Sequence, residues 1–239
     1  MSQEKLFNDI PPVVVVVTLM ILGVEGVLVL ASEGIIGGRE GIGWRSAMID
    51  EFAWRPVLVS EYFRRGGLPA EYWLRLFTYP FVHASFLSAA FGSAMILALG
   101  KFVGDRWSWW SILIIFFGSG AVSAIAFGFI SPVNYAYHGA FPALYGLIGA
   151  FTYMLWMRLE QAGANQLRAF SLIGFLLLIQ VIFGLVFKCL AAFGMMSDPS
   201  PAMLYIGLSE LAGFAFGLAL SPLVAPGGWR AFVLRMRRR

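Results

Sequence analysis

Six runs of mostly apolar residues, each about 15 to 24 long, recur along this chain and constrain its fold more than any other feature. They cover residues 12–31, 81–100, 109–130, 142–156, 170–193 and 202–221. A helix rises 1.5 Å per residue, so about 20 residues cross a hydrocarbon core of ~30 Å. Of the 239 residues only 13% are charged and 59% are hydrophobic, against roughly 25% charged in a soluble domain. The predicted fold class is therefore an all-α integral membrane protein, with one membrane domain over 1–239. The net charge of +4 does not indicate nucleic-acid binding, since basic residues gather in the cytoplasmic loops of membrane proteins. The polar start holds Lys5 beside Glu4 and Asp9. That is a poor signal-peptide pattern, so the first run is read as a retained span.

The runs differ in what interrupts them. Glu25 lies in the first span, where a carboxyl is costly and a functional candidate. The competing expectation places it near the outer end, protonated or hydrogen-bonded to loop backbone. Residues 32–75 set six arginines against six acids, with Phe52, Trp54, Tyr62, Phe63, Tyr72 and Trp73 interleaved. Aromatics mixed with charges suit short helices lying at a membrane interface. Gln180 and Lys188 interrupt the fifth span, and Lys188 is placed to snorkel outward. Glu210 sits mid-way along the sixth, which the sequence brackets between Pro201 and Pro222. A bare carboxylate there would cost several kcal/mol, so Glu210 is expected to be protonated, hydrogen-bonded, or both. The expected partners are Tyr145, Ser209 or a trapped water, and less so His83. The 229–239 tail carries five arginines beside Trp229. Each basic residue near an anionic leaflet contributes about 1 kcal/mol, so anionic lipid headgroups are expected partners and both chain ends are expected in the cytoplasm, with the bacterial inner membrane as the site. Cys189 is the single cysteine, which excludes an intrachain disulfide. No Cys/His cluster has metal spacing and no nucleotide loop is present, so neither a metal nor a cofactor is expected.

The fourth span opens with Gly139, Ala140, Phe141, Pro142, Ala143, Leu144, Tyr145, Gly146, Leu147, Ile148, Gly149 and Ala150. Pro142 suits a first helical turn. The sixth span carries Gly213 and Gly217, a small-xxx-small face. Gly146 and Gly149 are predicted to face Gly213 and Gly217. This frame resembles the rhomboid intramembrane proteases over roughly residues 70 to 220. That family reads Gly-x-Ser-Gly at the start of its fourth span and His-x-x-Gly-x-x-x-Gly in its sixth. In its second span it reads His, a further His five residues on and an Asn nine on. The resemblance puts Phe141 at the nucleophilic Ser, Pro142 at the following Gly and Glu210 at the general-base His. It puts His83, Ser88 and Gly92 at the three second-span positions, the last two of which serve the family's oxyanion hole. A phenyl ring cannot attack a carbonyl, and a carboxylate base is idle without a nucleophile. The expectation is a rhomboid bundle without proteolytic chemistry that binds transmembrane helices or partner membrane proteins, in assembly, quality control or scaffolding. Alternatives are a fixed accessory subunit of a larger membrane complex and, as the family name would suggest, an active serine protease. His138, just before the core stretch, has no Ser, Cys or Thr beside it and is not expected to be a catalytic base.

Overall fold

The computed structural model describes residues 10–195 and 200–228. The basic tail and the chain start lie outside the described residues, as does most of the expected turn at 196–201. The first long helix, α1, spans Pro12–Ser32. Four short helices follow: α2 Gly38–Gly41, α3 Trp44–Phe52, α4 Pro56–Arg65 and α5 Ala70–Thr78. They realise the helical loop expected over 32–75. Then come α6 Phe86–Gly104, α7 Trp109–Ile130, α8 Phe141–Gln161, α9 Ser171–Ala192 and α10 Ser200–Val224. Among the described residues there is no strand, only an antiparallel bridge between Trp54 and Tyr137. Among the described residues five helices are long and apolar enough to cross a membrane: α1, α6, α7, α9 and α10. The sixth long helix, α8, is the innermost. Every residue from Pro142 to Ala150 is buried, so its surface meets protein and need not be uniformly apolar.

Local chemistry sets the ends of these helices, and several expected boundaries move. The second span begins at Phe86 rather than Phe81, because Tyr79–Phe81 forms a 3-10 turn around Pro80. Ser85 is then the extended N-cap, its Oγ accepting from the Ser88 N–H at 3.3 Å. The fourth starts at Phe141, one residue before the expected 142, and continues past Trp156 to Gln161. It ends only where Gly163 takes φ +63, with its N–H on Glu160 O and the Ala164 N–H on Leu159 O. That pair of bonds is a Schellman cap, which needs a left-handed residue. The sixth does not stop before Pro222: the proline lies inside the last turn of α10.

The centre of the bundle is where α8 meets α7 and α10. A Cβ on Gly217 would overlap the Gly146 carbonyl, and one on Gly149 would lie 2.6 Å from the Leu218 amide nitrogen. The backbones of α8 and α10 therefore touch, as the glycine frame predicted for these two positions. The other half of the predicted pairing differs. Gly213 sits 2.9 Å, measured from its would-be Cβ, from Pro142 O and also against Ser123 of α7. Gly146 turns its bare Cα toward Ser119 of α7. The small residues thus serve a three-helix contact, because α7 presents its own serines to the same crossing. In lipid, where apolar helices gain little from excluding water, close van der Waals contact supplies the attraction.

Gly217→Ala is expected to destabilise the bundle by about 1–3 kcal/mol or more, since backbone cannot move aside as a side chain can. Gly174→Ala on α9, with open space around it, is expected to stay within about 1 kcal/mol of the parent. Thermal unfolding of both variants in detergent checks the pair; equal melting would remove the backbone contact as a source of stability.

Candidate functional site: the buried centre at the start of α8

Two turns that precede helices converge here. The Gly139 N–H donates to Tyr79 O at 3.0 Å, tying the turn before α8 to the turn before α6. Gly139 holds φ +94, a conformation that glycine adopts readily. Tyr79 Oη donates to Gly120 O of α7 at 2.9 Å, and Tyr137 Oη meets Ser209 Oγ of α10 at 2.8 Å. The Tyr137 ring stacks on Phe127, with centroids 4.5 Å apart. Trp54 and Tyr137 exchange backbone hydrogen bonds of 3.0 and 2.7 Å. The long loop is fixed to the bundle at that point.

His83 lies in the turn before α6, 1% exposed. Its Nε2 accepts the Ala140 N–H at 3.2 Å. The two turns are joined a second time by that bond. Gly92 leaves room beside the ring: a Cβ there would come 3.6 Å from His83 Nε2. The His83 carbonyl accepts from Arg45 Nη1 at 2.8 Å. Arg45, on α3, also clasps Glu25 of α1 with both terminal nitrogens, at 3.0 and 2.7 Å. Glu25 is 1% exposed, so the costly intramembrane carboxyl has a loop side chain as its partner, not loop backbone. Because Arg45 carries both bonds, α1, the loop and the turn before α6 form one unit.

Burial pushes His83 down from its ordinary 6.5 to about 4, and it prevails over the Glu25 carboxylate and the Phe81 carbonyl, which push upward. Burial likewise lowers His138, whose Nδ1 lies 2.6 Å from Ala136 O and whose ring stacks on Tyr135. Among the described residues, no hydrogen bond joins either imidazole to a hydroxyl or thiol.

The remaining site residues form two groups. Phe141, first residue of α8, stacks on Phe91 of α6 at 6.0 Å and 25°, while Pro142 is buried behind it. One turn on, Tyr145 Oη accepts from Gln180 Nε2 at 2.9 Å, and the same amide nitrogen donates to Glu210 Oε2. Glu210 is 4% exposed. Tyr145 and Glu210 are thus linked through Gln180 of α9 rather than directly, and Ser209 is engaged with Tyr137 and with Ile206 O. Gln180 was not singled out as a site residue by the sequence. Its signal was being the uncharged polar residue among the apolar side chains at the middle of that span. Ser88, placed with the site by the sequence frame, has a plainer part: its backbone N–H completes the cap of α6.

The bundle and its glycine crossing define a membrane-embedded helical protein. The family model for the rhomboid domain matches residues 70–227; the chain belongs to the rhomboid family. It is also similar to "Putative rhomboid protease YdcA" of Bacillus subtilis (strain 168), with 30% identity over 115 residues. That match covers 46% of this chain and 56% of the relative's length, so the chain spans little more than half of that protein.

His83 favours its neutral form in the fold. As pH falls, the unfolded chain takes up the proton first. The contribution is therefore whole above 6.5, declines below it and is gone below about 4. The loss amounts to about 3 kcal/mol. His83→Gln keeps an acceptor for the Ala140 N–H but does not titrate, so its stability should fall less between pH 6.5 and 4. Melting curves of parent and variant across that range check this; parallel pH profiles would exclude His83 as the titrating group.

Proposed function

We propose that this rhomboid is a proteolytically inactive member that binds transmembrane helices of other membrane proteins, in assembly, quality control or scaffolding. The observation that carries the reading is Phe141, which stands at the family's nucleophile position and stacks on Phe91. Three further features support it. The Ala140 amide beside it is occupied by His83. Gly92 has no side chain to donate and Ser88 replaces the family's second His. Glu210, at the base position, is held by Gln180. Loss of one oxyanion donor alone costs roughly 10²–10³ in rate, and here the nucleophile and base positions differ as well.

A fluorophosphonate serine-hydrolase probe is expected not to label the purified protein. Labelling that disappears when one serine is changed to alanine would overturn the reading.

The same proposal places the protein in the bacterial inner membrane with both ends cytoplasmic. Lys101, Arg106, Arg158 and Arg168 between spans and the arginines of the tail support that orientation; anionic lipid headgroups are then the tail's partners. Cysteines introduced near residues 2 and 238 should react with a membrane-impermeant maleimide only after permeabilisation. Labelling of residue 238 in intact cells would reverse the topology.

A second reading, a fixed accessory subunit of a larger membrane complex, draws on α9. Of its residues only Ile173 is buried. A native pull-down distinguishes the two: one stoichiometric partner favours the subunit, several substoichiometric clients favour helix recognition.

A further inference from the structure

Outside the buried centre, the fold leaves an open groove between α9 and α10, of about 520 Å³. Its walls are apolar, with Leu177 and Val181 on one side and Leu204, Leu208 and Leu211 on the other. Leu204 is 60% exposed. Two lining residues are glycines, Gly184 on α9 and Gly207 on α10. Gln180 lies between the walls and belongs to both the groove and the buried centre.

Hydrogen-bond bookkeeping at Gln180 gives the groove its chemistry. A side-chain amide offers two N–H donors and a carbonyl that accepts. The Nε2 nitrogen reaches Tyr145 Oη and Glu210 Oε2, which uses both donors. The carbonyl Oε1 points the other way. It lies over Gly207, so that a Cβ at 207 would come 3.0 Å from it. No hydrogen bond among the described residues reaches this oxygen. Glycine at 207 is what leaves it uncovered. The floor of an otherwise apolar, lipid-depth groove therefore carries an acceptor without a donor, beside two positions where a second backbone can come close.

An acyl chain would fill the volume and leave that acceptor unsatisfied, which is unfavourable in hydrocarbon. A transmembrane helix with small residues and one Ser, Thr, Asn or Gln would satisfy it while packing on the glycines. We infer that the α9–α10 groove is the docking site for such a helix, with Gln180 Oε1 accepting a hydrogen bond from its polar side chain. This inference rests on the helix-binding reading above and names its site. It also makes Gln180 the link through which an occupant contacts Tyr145 and Glu210.

The test uses the full chain in lipid nanodiscs and two synthetic 21-residue transmembrane peptides. One is a Leu/Ala host with a central Gly-x-x-x-Gly and one Asn; the other has Leu in place of that Asn. Binding is read by fluorescence transfer from a labelled peptide, and location by a photo-crosslinking residue at 204 or, as a control, at 19 on α1. The Asn peptide is expected to bind at least tenfold more tightly than the Leu peptide and to crosslink from 204 but not from 19. Gly184→Leu should weaken it at least tenfold. That position has open space around it, so the substitution leaves the packing of the bundle intact. If the Asn peptide binds but is indifferent to Gly184→Leu and crosslinks from 19, the groove assignment is wrong while helix binding stands. If both peptides bind equally, the acceptor has no role and the inference fails. If neither binds, both the groove and the helix-binding reading fail.

Discussion

Direct contact between the backbones of α8 and α10 is the constraint on which the rest of this structure depends. With Gly217 against Gly146, and Gly149 against the Phe214–Leu218 stretch, the two helices come closer than side chains would permit. That approach fixes the register of α10, and register places Ser209 beside Tyr137 and Glu210 beside Gln180. Ser119 and Ser123 of α7 occupy the space that the glycines leave open. A helix with ordinary side chains at these places could still cross the membrane, but it could not bring these polar groups together.

The polar contacts then divide into two sets on either side of the start of α8. One joins α1, the loop and the turn before α6 through Glu25, Arg45 and His83. The other joins α8, α9 and α10 through Tyr145, Gln180 and Glu210. In the first set a buried carboxylate is matched by a guanidinium with two parallel bonds. Removing either partner of such a pair leaves an uncompensated group, at a typical cost of 3–5 kcal/mol. In the second set an amide bridges a phenol and a carboxyl. Between the sets stands Phe141, stacked on Phe91, where the family places its reactive hydroxyl. On the proposed reading, residues that once aligned for chemistry now hold the helices together, with apolar packing in place of the nucleophile.

The loop between α1 and α6 shows how a chain with few charges uses them. Arg75 of α5 donates to the Asp50 and Ala53 carbonyls and lies over the Tyr72 ring at 5.0 Å. Arg55 pairs with Asp50, and Arg64 and Arg65 with Glu61. These exposed pairs contribute little each. The Glu61 pairs stay within α4, whereas Arg55 and Arg75 tie the end of α3 to the start of α4 and to α5, in an arrangement that delivers Arg45 to Glu25 and Trp54 to Tyr137.

The helical membrane class and the pattern of small residues were legible in the sequence, because length, hydropathy and the spacing of small residues are properties of the chain itself. So were Phe141 and Glu210 as departures within that pattern, since the residue types alone show what a phenyl or a carboxyl can do. Partners were not. Nothing local links Glu25 to Arg45, 20 positions on in a loop with five other arginines, or sets Gln180 between Tyr145 and Glu210. Span limits also depended on turn chemistry that hydropathy does not see: the 3-10 turn at Pro80 delays α6, and the left-handed Gly163 closes α8 late. Which polar group meets which is decided by helix register and crossing, and in lipid those follow from backbone packing across helices far apart in sequence.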